Sequence, residues 1–471
     1  MSEILKPDLC VIGAGSGGLS VAAAAAAMGV AVVLVEKGQM GGDCLNYGCV
    51  PSKALIAAAH AAETMRRAGR FGLGAVEPAV DLDGLRAHVR DVIDRIAPND
   101  SQARFEAMGV RVIRAAGRFT SRDTLEAGGI AIKGRRFVVA TGSSPAAPPI
   151  PGIELVRYLT NESVFDLERL PKRMLVLGAG PIGLELAQAF RRLGSEVVVV
   201  EAGKALGRED PELAAVVLTQ LEREGVRLLQ GVKVARIEPV GGGVRLHLDG
   251  APPIEGDDLL VAAGRRPNVG ALGLEAAGVT FDNSGVKVGP SLRTTNRRIY
   301  AVGDVAGMAQ FTHAANYHAG LVLRATLFRM AVKLDPAAIP RVTYTDPEIA
   351  VAGLSEADAH ERHGKVHVLR WSFVENDRAQ AERQTEGFVK VVTTPKGLIL
   401  GAAIVGPRAG ELIPLWQFAL AKRARISDIA GLVFAYPTLA EVSKRAAVTS
   451  YAPSLGNPWL GRILRLLRRF G

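Results

Sequence analysis

The sequence predicts an α/β fold with two Rossmann-like dinucleotide-binding modules, and three observations carry that expectation. First, Gly13-Ala14-Gly15-Ser16-Gly17-Gly18 and Gly178-Ala179-Gly180-Pro181-Ile182-Gly183 are both G-x-G-x-x-G turns. Second, each is followed eighteen residues after its last glycine by an acid, Glu36 and Glu201. Third, apolar runs at Asp8–Ile12, Ala31–Glu36, Arg173–Leu177 and Glu196–Glu201 alternate with helical stretches, the pattern of parallel βαβ units. Gly13, Gly15 and Gly18, like Gly178, Gly180 and Gly183, let the backbone approach a pyrophosphate at a helix amino terminus. The glutamate carboxylate can then accept both ribose hydroxyls. One such turn is a weak signal, whereas two in the same register, each with its acid, are a strong one.

The rest of the composition narrows the class. A chain of 471 residues has room for about three domains, and 48% hydrophobic residues is a globular content. Fifty-seven basic residues face 47 acidic ones, a net charge of +10. No basic run interleaved with aromatics occurs in the body and aromatics are only 5%, which argues against a nucleic-acid partner. The uncharged run from Leu9 to Val35 resembles a membrane span, but Gly13, Gly15, Gly17 and Gly18 interrupt it and no basic region directly precedes it. Strand, glycine turn, alanine-rich helix and strand is the better parse. The expected location is the cytoplasm, whose reducing poise suits a cycling disulfide.

Two of only three cysteines, Cys44 and Cys49, stand close together in GGDCLNYGCVPSK, just after the first module's acid. Thiols this scarce do not form a disulfide scaffold, so a close pair in this setting suggests redox chemistry. In an ideal helix the two Cα atoms would be roughly 8.7 Å apart, whereas a disulfide tolerates about 4.4–6.8 Å. A bridge therefore needs a distorted first helical turn, for which Gly48 and Pro51 are suitable residues. Two reduced, buried thiols on a helix are the alternative. The pair follows the Glu36 strand by eight residues, which places it near the carboxyl edge of the first sheet, where the first cofactor binds.

The segment GGDCLNYGCVPSK closely resembles the active-site segment of the flavin-dependent pyridine nucleotide–disulfide oxidoreductases. The resemblance continues through GAGPIGLELA, AAGRRPN, IYAVGDVAG, YTDPEIAVAGLSE and YPTLAE, nearly the whole chain. It implies FAD in the first module, NAD in the second and a relay from nicotinamide through flavin to a Cys44–Cys49 disulfide. Cys49 is then the charge-transfer thiol beside the flavin, and Cys44 the interchange thiol that meets substrate. Lys53 matches the lysine near flavin N5, with Glu185 as its partner. Gly42, Gly117, Thr141, Gly142, Asp304 and Ala314 match positions that bind the flavin, and Gly264 falls at the second crossover. Linker-like composition at 143–152 and a Pro-rich break at Leu334–Pro340 mark boundaries. The expected parts are 1–147 for FAD and 148–272 for NAD. Residues 273–339 return to the FAD domain around Ile299–Asp304, 340–456 form an α+β dimerisation domain, and 457–471 form a terminal helix. The implied assembly is a homodimer.

Glu201 favours a 2′-hydroxyl and repels a 2′-phosphate, and Ala202-Gly203-Lys204 follows it where NADP-specific relatives place arginines, so NADH is the expected partner. The chain departs from the resemblance at its substrate end. Lipoamide and glutathione reductases carry an acid–base histidine before Pro-Thr, and here the motif reads Tyr436-Pro437-Thr438-Leu439-Ala440-Glu441. Glu441, the acid that would orient the imidazole, is kept. A phenol, with a pKa near 10, donates a proton at neutral pH and is a poor base. Mercuric reductases share the tyrosine but pass metal through a second cysteine pair, and no cysteine follows Cys49. Their usual amino-terminal metal-binding domain is also missing, since the first strand begins by Asp8. Asp43 is a further departure, standing where many relatives have threonine, and its carboxylate would raise the Cys44 pKa. His360, His363 and His367 read as ordinary surface histidines, with no metal expected.

These residues predict a reductase of a dithiol/disulfide or other electrophilic substrate that needs no imidazole base. The alternatives are a dihydrolipoyl dehydrogenase with weakened proton transfer, a mercuric reductase-like enzyme without the terminal cysteine pair, and a non-catalytic flavin-bound sensor or membrane-associated partner. The tail NPWLGRILRLLRRFG carries four arginines and no acid, with Leu460, Ile463, Leu464 and Leu467 on one helical stripe. Asn457 is the expected cap. Such a helix either lies peripherally on an anionic membrane at its inner face or packs its stripe on the dimerisation domain.

Overall fold

Strand Leu9–Ile12 sits at the centre of a five-stranded parallel sheet. Val32–Val35 and Arg136–Val139 flank it, with Arg111–Ile113 and Ile299–Ala301 at the edges. The computed structural model describes residues 3–452 and 458–470. All four residues of the central strand are buried, as a parallel strand covered on both faces requires. On one face Val11, Leu34 and Val138 pack in a cluster with residues of helices Ser16–Ala27 and Thr312–Leu327. On the other, Cys10, Ile12, Val33 and Val139 pack with Phe119 and Phe137. The charge-free run from Leu9 is thus strand, turn, helix and strand. Ile299–Ala301 completes the sheet begun at Leu9, so the first module is discontinuous.

A second parallel sheet has the order Arg227–Gln230, Glu196–Glu201, Arg173–Leu177, Asp258–Val261. Two of the strand spans expected from sequence are reproduced residue for residue, while the first two are trimmed at their ends. A short antiparallel pair, Ser143–Pro145 with Arg265–Pro267, brings the two crossover segments together.

The chain divides into two compact units, Met1–Gly203 with Val226–Pro336, and Lys204–Gly225 with Ala337–Gly471. The second is built on a five-stranded antiparallel sheet in the order Arg341–Thr343, Glu348–Gly353, Ile399–Gly406, Phe388–Thr393, His367–Ser372. The core on this sheet holds fully buried Trp416, whose Nε1 donates to Ser443 Oγ at 3.2 Å. The helix Pro211–Arg223 belongs to this unit. At its start, Asp210 and Glu212 lie 2.6 and 3.2 Å from Lys390 Nζ. Glu356 lies 2.5 Å from the same ammonium, and Arg370 pairs with Glu212 at 2.7 Å. The helix Pro458–Leu467 has no buried residue. Its expected cap, Asn457, lies outside the described residues.

Lys390 is 3% exposed and is the cation shared by three carboxylates. Lys390→Met should therefore cost about 3 kcal/mol, the low end for breaking a buried pair, because Glu212 and Glu356 keep access to water. A lowered urea midpoint for the carboxyl-terminal unit is the expected reading, and an unchanged midpoint would refute it.

Candidate active site

The two glycine turns are near copies of one another. Gly13 and Gly178 have φ of +107° and +108°, and their N–H groups donate to Val35 O and Val200 O at 2.8 and 2.9 Å. A Cβ on Gly18 or Gly183 would overlap the Gly13 or Gly178 carbonyl oxygen, which is why these positions must be glycine. Glu36 accepts from Ala14 N and Gly38 N, both at 2.5 Å. Glu201 accepts from Ala179 N at 2.9 Å and Gly203 N at 2.8 Å. Each carboxylate is therefore fixed beside its turn with lone pairs left for ribose hydroxyls. Among the described residues, chain neighbours aside, no atom lies within 4 Å of where a Gly180 Cβ would be, and one on Gly15 would meet Gly42 Cα at 3.9 Å. The residues fit a diphosphate at both helix amino termini, those of Ser16–Ala27 and Pro181–Arg192.

The cysteines are carried to the first turn by backbone packing. Gly41 N donates to Ala14 O at 2.9 Å, and a Cβ on Gly42 (φ +60°) would sit 2.6 Å from Gly15 Cα. Sequence placed both thiols at one distorted helical turn; instead the helix breaks between them. Cys44 lies in Gly42–Asn46 and Cys49 begins Cys49–Arg66, with Gly48 as the intervening N-cap. Asn46 Nδ2 ends the first segment by donating to Met40 O and Gly42 O at 3.0 and 2.8 Å. Cys44 and Cys49 stand unbridged, and Cys10 is a third, buried thiol in the sheet.

The surroundings polarise the pair. The hydrogen bond with Cys44 lowers the Cys49 pKa to about 6; burial opposes this, and Thr312 and the Lys53 charge assist. Thr312 Oγ1 is 3.6 Å from Cys49 Sγ at the start of helix Thr312–Leu327, so two helix amino termini meet at this sulfur. The same hydrogen bond raises the Cys44 pKa, and burial, the Cys49 charge and the Asp43 carboxylate raise it further, against Thr312. Lys53 Nζ lies 2.7 Å from Glu185 Oε2, where the Glu185 side chain is 7% exposed.

Thr141 Oγ1 donates to Asn268 O at 2.8 Å, Asn268 N donates to Gly142 O at 2.9 Å, and Gly264 accepts through its carbonyl from Ala146 N at 3.0 Å. The two crossovers are thus latched to each other. Asp304 accepts from Ser143 Oγ at 2.6 Å, and burial raises its pKa against that bond and the Arg265 charge. Gly303 N donates to His318 Nδ1 at 3.1 Å, and burial lowers the His318 pKa to about 4, keeping the ring neutral. Ala314 is buried in the first turn of its helix, and Gly117 begins strand Gly117–Phe119 within van der Waals reach of Val35. Ser143, Asn161, Arg265 and Thr312 were not singled out from the sequence. Ser143 and Arg265 begin short strands, Thr312 begins a helix and Asn161 lies in a turn, and no local pattern marks any of them.

Tyr436 and Glu441 belong to the second unit. The Tyr436 hydroxyl donates to Asp377 Oδ2 at 2.9 Å, and that bond raises the phenol pKa. Glu441 turns back to accept from Thr438 N at 3.4 Å. Tyr436 is therefore a held proton donor, with Asp377 a partner the motif does not announce. A ring nitrogen of His360 lies 3.0 Å from Gly364 O, while His363 and His367 are exposed strand-and-helix-end residues.

Residues 7–319 match the family described as pyridine nucleotide-disulphide oxidoreductase, and residues 339–447 match its dimerisation domain. The chain belongs to this family, whose members combine FAD with a pyridine nucleotide. Among curated relatives, mercuric reductase of Streptomyces lividans is 36% identical over 454 residues, covering 94% of this chain and 96% of that protein. Dihydrolipoyl dehydrogenase of Chlamydia muridarum is 33% identical over 461 residues, covering 96% and 98%. Among solved structures, the HOCl-induced flavoprotein disulfide reductase RclA of Escherichia coli superposes with a TM-score of 0.84 at 26% identity, covering 94% and 99%. LpdA of Mycobacterium tuberculosis superposes with a TM-score of 0.87 at 26% identity, covering 94% and 99%. Among the described residues, no helix is long and apolar enough to cross a membrane.

The depressed Cys49 pKa has a direct optical consequence. The thiolate is present above pH about 6 and is lost as pH falls through that value. In two-electron-reduced enzyme the long-wavelength thiolate-to-flavin band should fade with the same midpoint. Lys53→Met removes an opposing charge and should move the midpoint up by about one unit. A midpoint unmoved in flavin-loaded variant would show that Lys53 does not act on the thiolate.

Proposed function

We propose that the protein is an NADH-preferring, FAD-dependent reductase that passes electrons through Cys44 and Cys49 to a disulfide or other thiol-reactive electrophile needing no imidazole base. One observation carries this reading: Tyr436 stands where an acid–base histidine would be and donates a hydrogen bond to Asp377, while Cys44, Cys49 and Lys53 are all kept. Bound FAD would supply the two-electron chemistry that links the nicotinamide to the disulfide. The chain's residues do the rest. The Gly13–Gly18 turn and Glu36 would hold the diphosphate and ribose of FAD, Asp304 would bind toward its ribityl chain, and Lys53, fixed by Glu185, would stabilise charge near Cys49. Glu201 selects the 2′-hydroxyl of NADH. The working form is a homodimer in which the Tyr436 segment of one subunit completes the Cys44 site of the other, giving two equivalent composite sites.

Turnover against lipoamide, glutathione disulfide, mercuric ion and quinones, each with NADH and with NADPH, tests the assignment. Activity on an acceptor other than lipoamide, with higher kcat/KM for NADH, is expected; no turnover with any acceptor would refute it. Tyr436→His should raise lipoamide activity tenfold or more, on the order of 1.4 kcal/mol, if an imidazole is the missing part. No gain in a folded, flavin-loaded variant would show that the pocket differs by more than this residue.

A second reading concerns location. Ile463, Leu464 and Leu467 are 51%, 46% and 57% exposed on helix Pro458–Leu467, and Arg462 stacks over Trp459 at 5.0 Å. Much of the apolar stripe is therefore open to solvent on this chain, with Leu460 partly buried. With Arg462, Arg465, Arg468 and Arg469 beside it and no acid, it complements an anionic bilayer surface. Co-sedimentation with anionic vesicles, weakened by salt and lost on deleting 457–471, is the expected result. Deletion that instead weakens the dimer would place the helix on the partner subunit.

A further inference from the structure

One charged cluster beside the thiols lies outside the electron path. Asp43 precedes Cys44, and both its oxygens are held. Oδ2 is 3.1 Å from Arg265 Nη2, and Oδ1 accepts from Asn161 Nδ2 at 3.1 Å. Arg265 Nη1 closes the ring by donating to Asn161 Oδ1 at 3.3 Å. Asn161 Nδ2 also donates to Tyr47 O at 3.1 Å, tying the ring to the break between the two cysteine helices. Arg265 is shared: Nε donates to Ser143 Oγ at 2.8 Å and lies 4.0 Å from Asp304 Oδ2, and its side chain is only 10% exposed.

One guanidinium thus serves two carboxylates, Asp43 and Asp304, and negative charge is left over next to Cys44. The opposite holds at Cys49, which has the Lys53 cation and two helix amino termini. Other elements near the pair bring Glu185, which is taken up by Lys53, and the neutral hydroxyl of Thr312. The helix Leu82–Ile96, packed on the Cys44 segment, turns His88 to Ala54 O and pairs Arg86 with Asp83.

We propose that Asp43, locked in the ring with Arg265 and Asn161, is a positioning residue that assigns the single proton of the reduced pair to Cys44 and leaves the negative charge on Cys49. The electron count requires such an assignment. A hydride from NADH carries two electrons and one proton. Cleaving the Cys44–Cys49 bond takes both electrons and gives two sulfur anions, of which the proton neutralises one. NADH becomes NAD⁺, and the disulfide becomes one thiol and one thiolate with no further proton needed. A carboxylate fixed beside Cys44 disfavours the anion there, so the charge settles on the sulfur that faces the flavin. This inference rests on the two cysteines being the working redox pair. Its test needs only the reduced thiols, so it can fail while turnover is intact.

The experiment is anaerobic alkylation of reduced, flavin-loaded enzyme with iodoacetamide across pH, with each cysteine followed by peptide mass. Asp43→Asn, which keeps the shape and removes the charge, should lower the Cys44 midpoint by about one unit, roughly a tenfold faster reaction at neutral pH. Asp43→Glu should restore the parent midpoint. Arg265→Gln leaves Asp43 without its cation and should move the midpoint the other way. A ring that merely clamps the fold would shift both charge variants in one direction, and this would overturn the proposal, as would an unmoved Cys44 midpoint in Asp43→Asn. If Arg265→Gln loses its flavin, the Asn and Glu variants at position 43 still decide the matter.

Discussion

The structure of the site depends on one backbone contact, that of Gly41–Gly42 against the Ala14–Gly15 turn. Two chains can approach this closely only where neither carries a Cβ, and a methyl at Gly42 would sit 2.6 Å from Gly15 Cα. The contact fixes where the cysteine segment begins relative to the first helix amino terminus. From there the short Gly42–Asn46 helix, the Gly48 break and the Cys49–Arg66 helix follow. Lys53, one turn into that second helix, then meets Glu185 of the second module's fingerprint helix at 2.7 Å. Both nucleotide modules are therefore joined through the segment that carries the sulfur chemistry.

Electrostatic asymmetry is the second organising feature. Cys44 is half-buried and Cys49 exposed, and they differ further in their partners. Cys49 starts a helix, faces the Thr312 hydroxyl and has a lysine one turn away. Cys44 lies between helix ends and follows a carboxylate. The direction of each pKa follows from these contacts, with the hydrogen bond between the sulfurs as the largest influence on both. In the second unit the Tyr436 phenol is held by Asp377, whose carboxylate raises its pKa.

Much of this was legible in the sequence, for reasons that can be stated residue by residue. The glycine turns and their glutamates are local, so spacing alone gave both cradles and the strands Arg173–Leu177 and Glu196–Glu201. The pairing of Lys53 with Glu185 was visible only through resemblance, because nothing local links residues so far apart. The helical break between the cysteines was hinted at by Gly48 but not its form, since a glycine permits a kink and a full stop alike. Asp43 was noticed as a charge next to a thiol, whereas Arg265 and Asn161, which hold it, were not. Their role arises where a short helix, a turn and a strand end, far apart in sequence, meet.

The near identity of the two cradles bears on how long each nucleotide stays. Equivalent turns and glutamates offer a diphosphate and a ribose the same handholds, so the contacts themselves give little difference in grip. What differs is the roof. Over the first turn lies the Gly41–Gly42 backbone, continuous with the cysteine helices, whereas the space beside Gly180 is open. Backbone packed this close to the first turn would slow the departure of a ligand bound there, whereas no described residue takes that place beside Gly180. Dissociation rate, more than contact energy, then separates a resident prosthetic group from a coenzyme exchanged at every turnover.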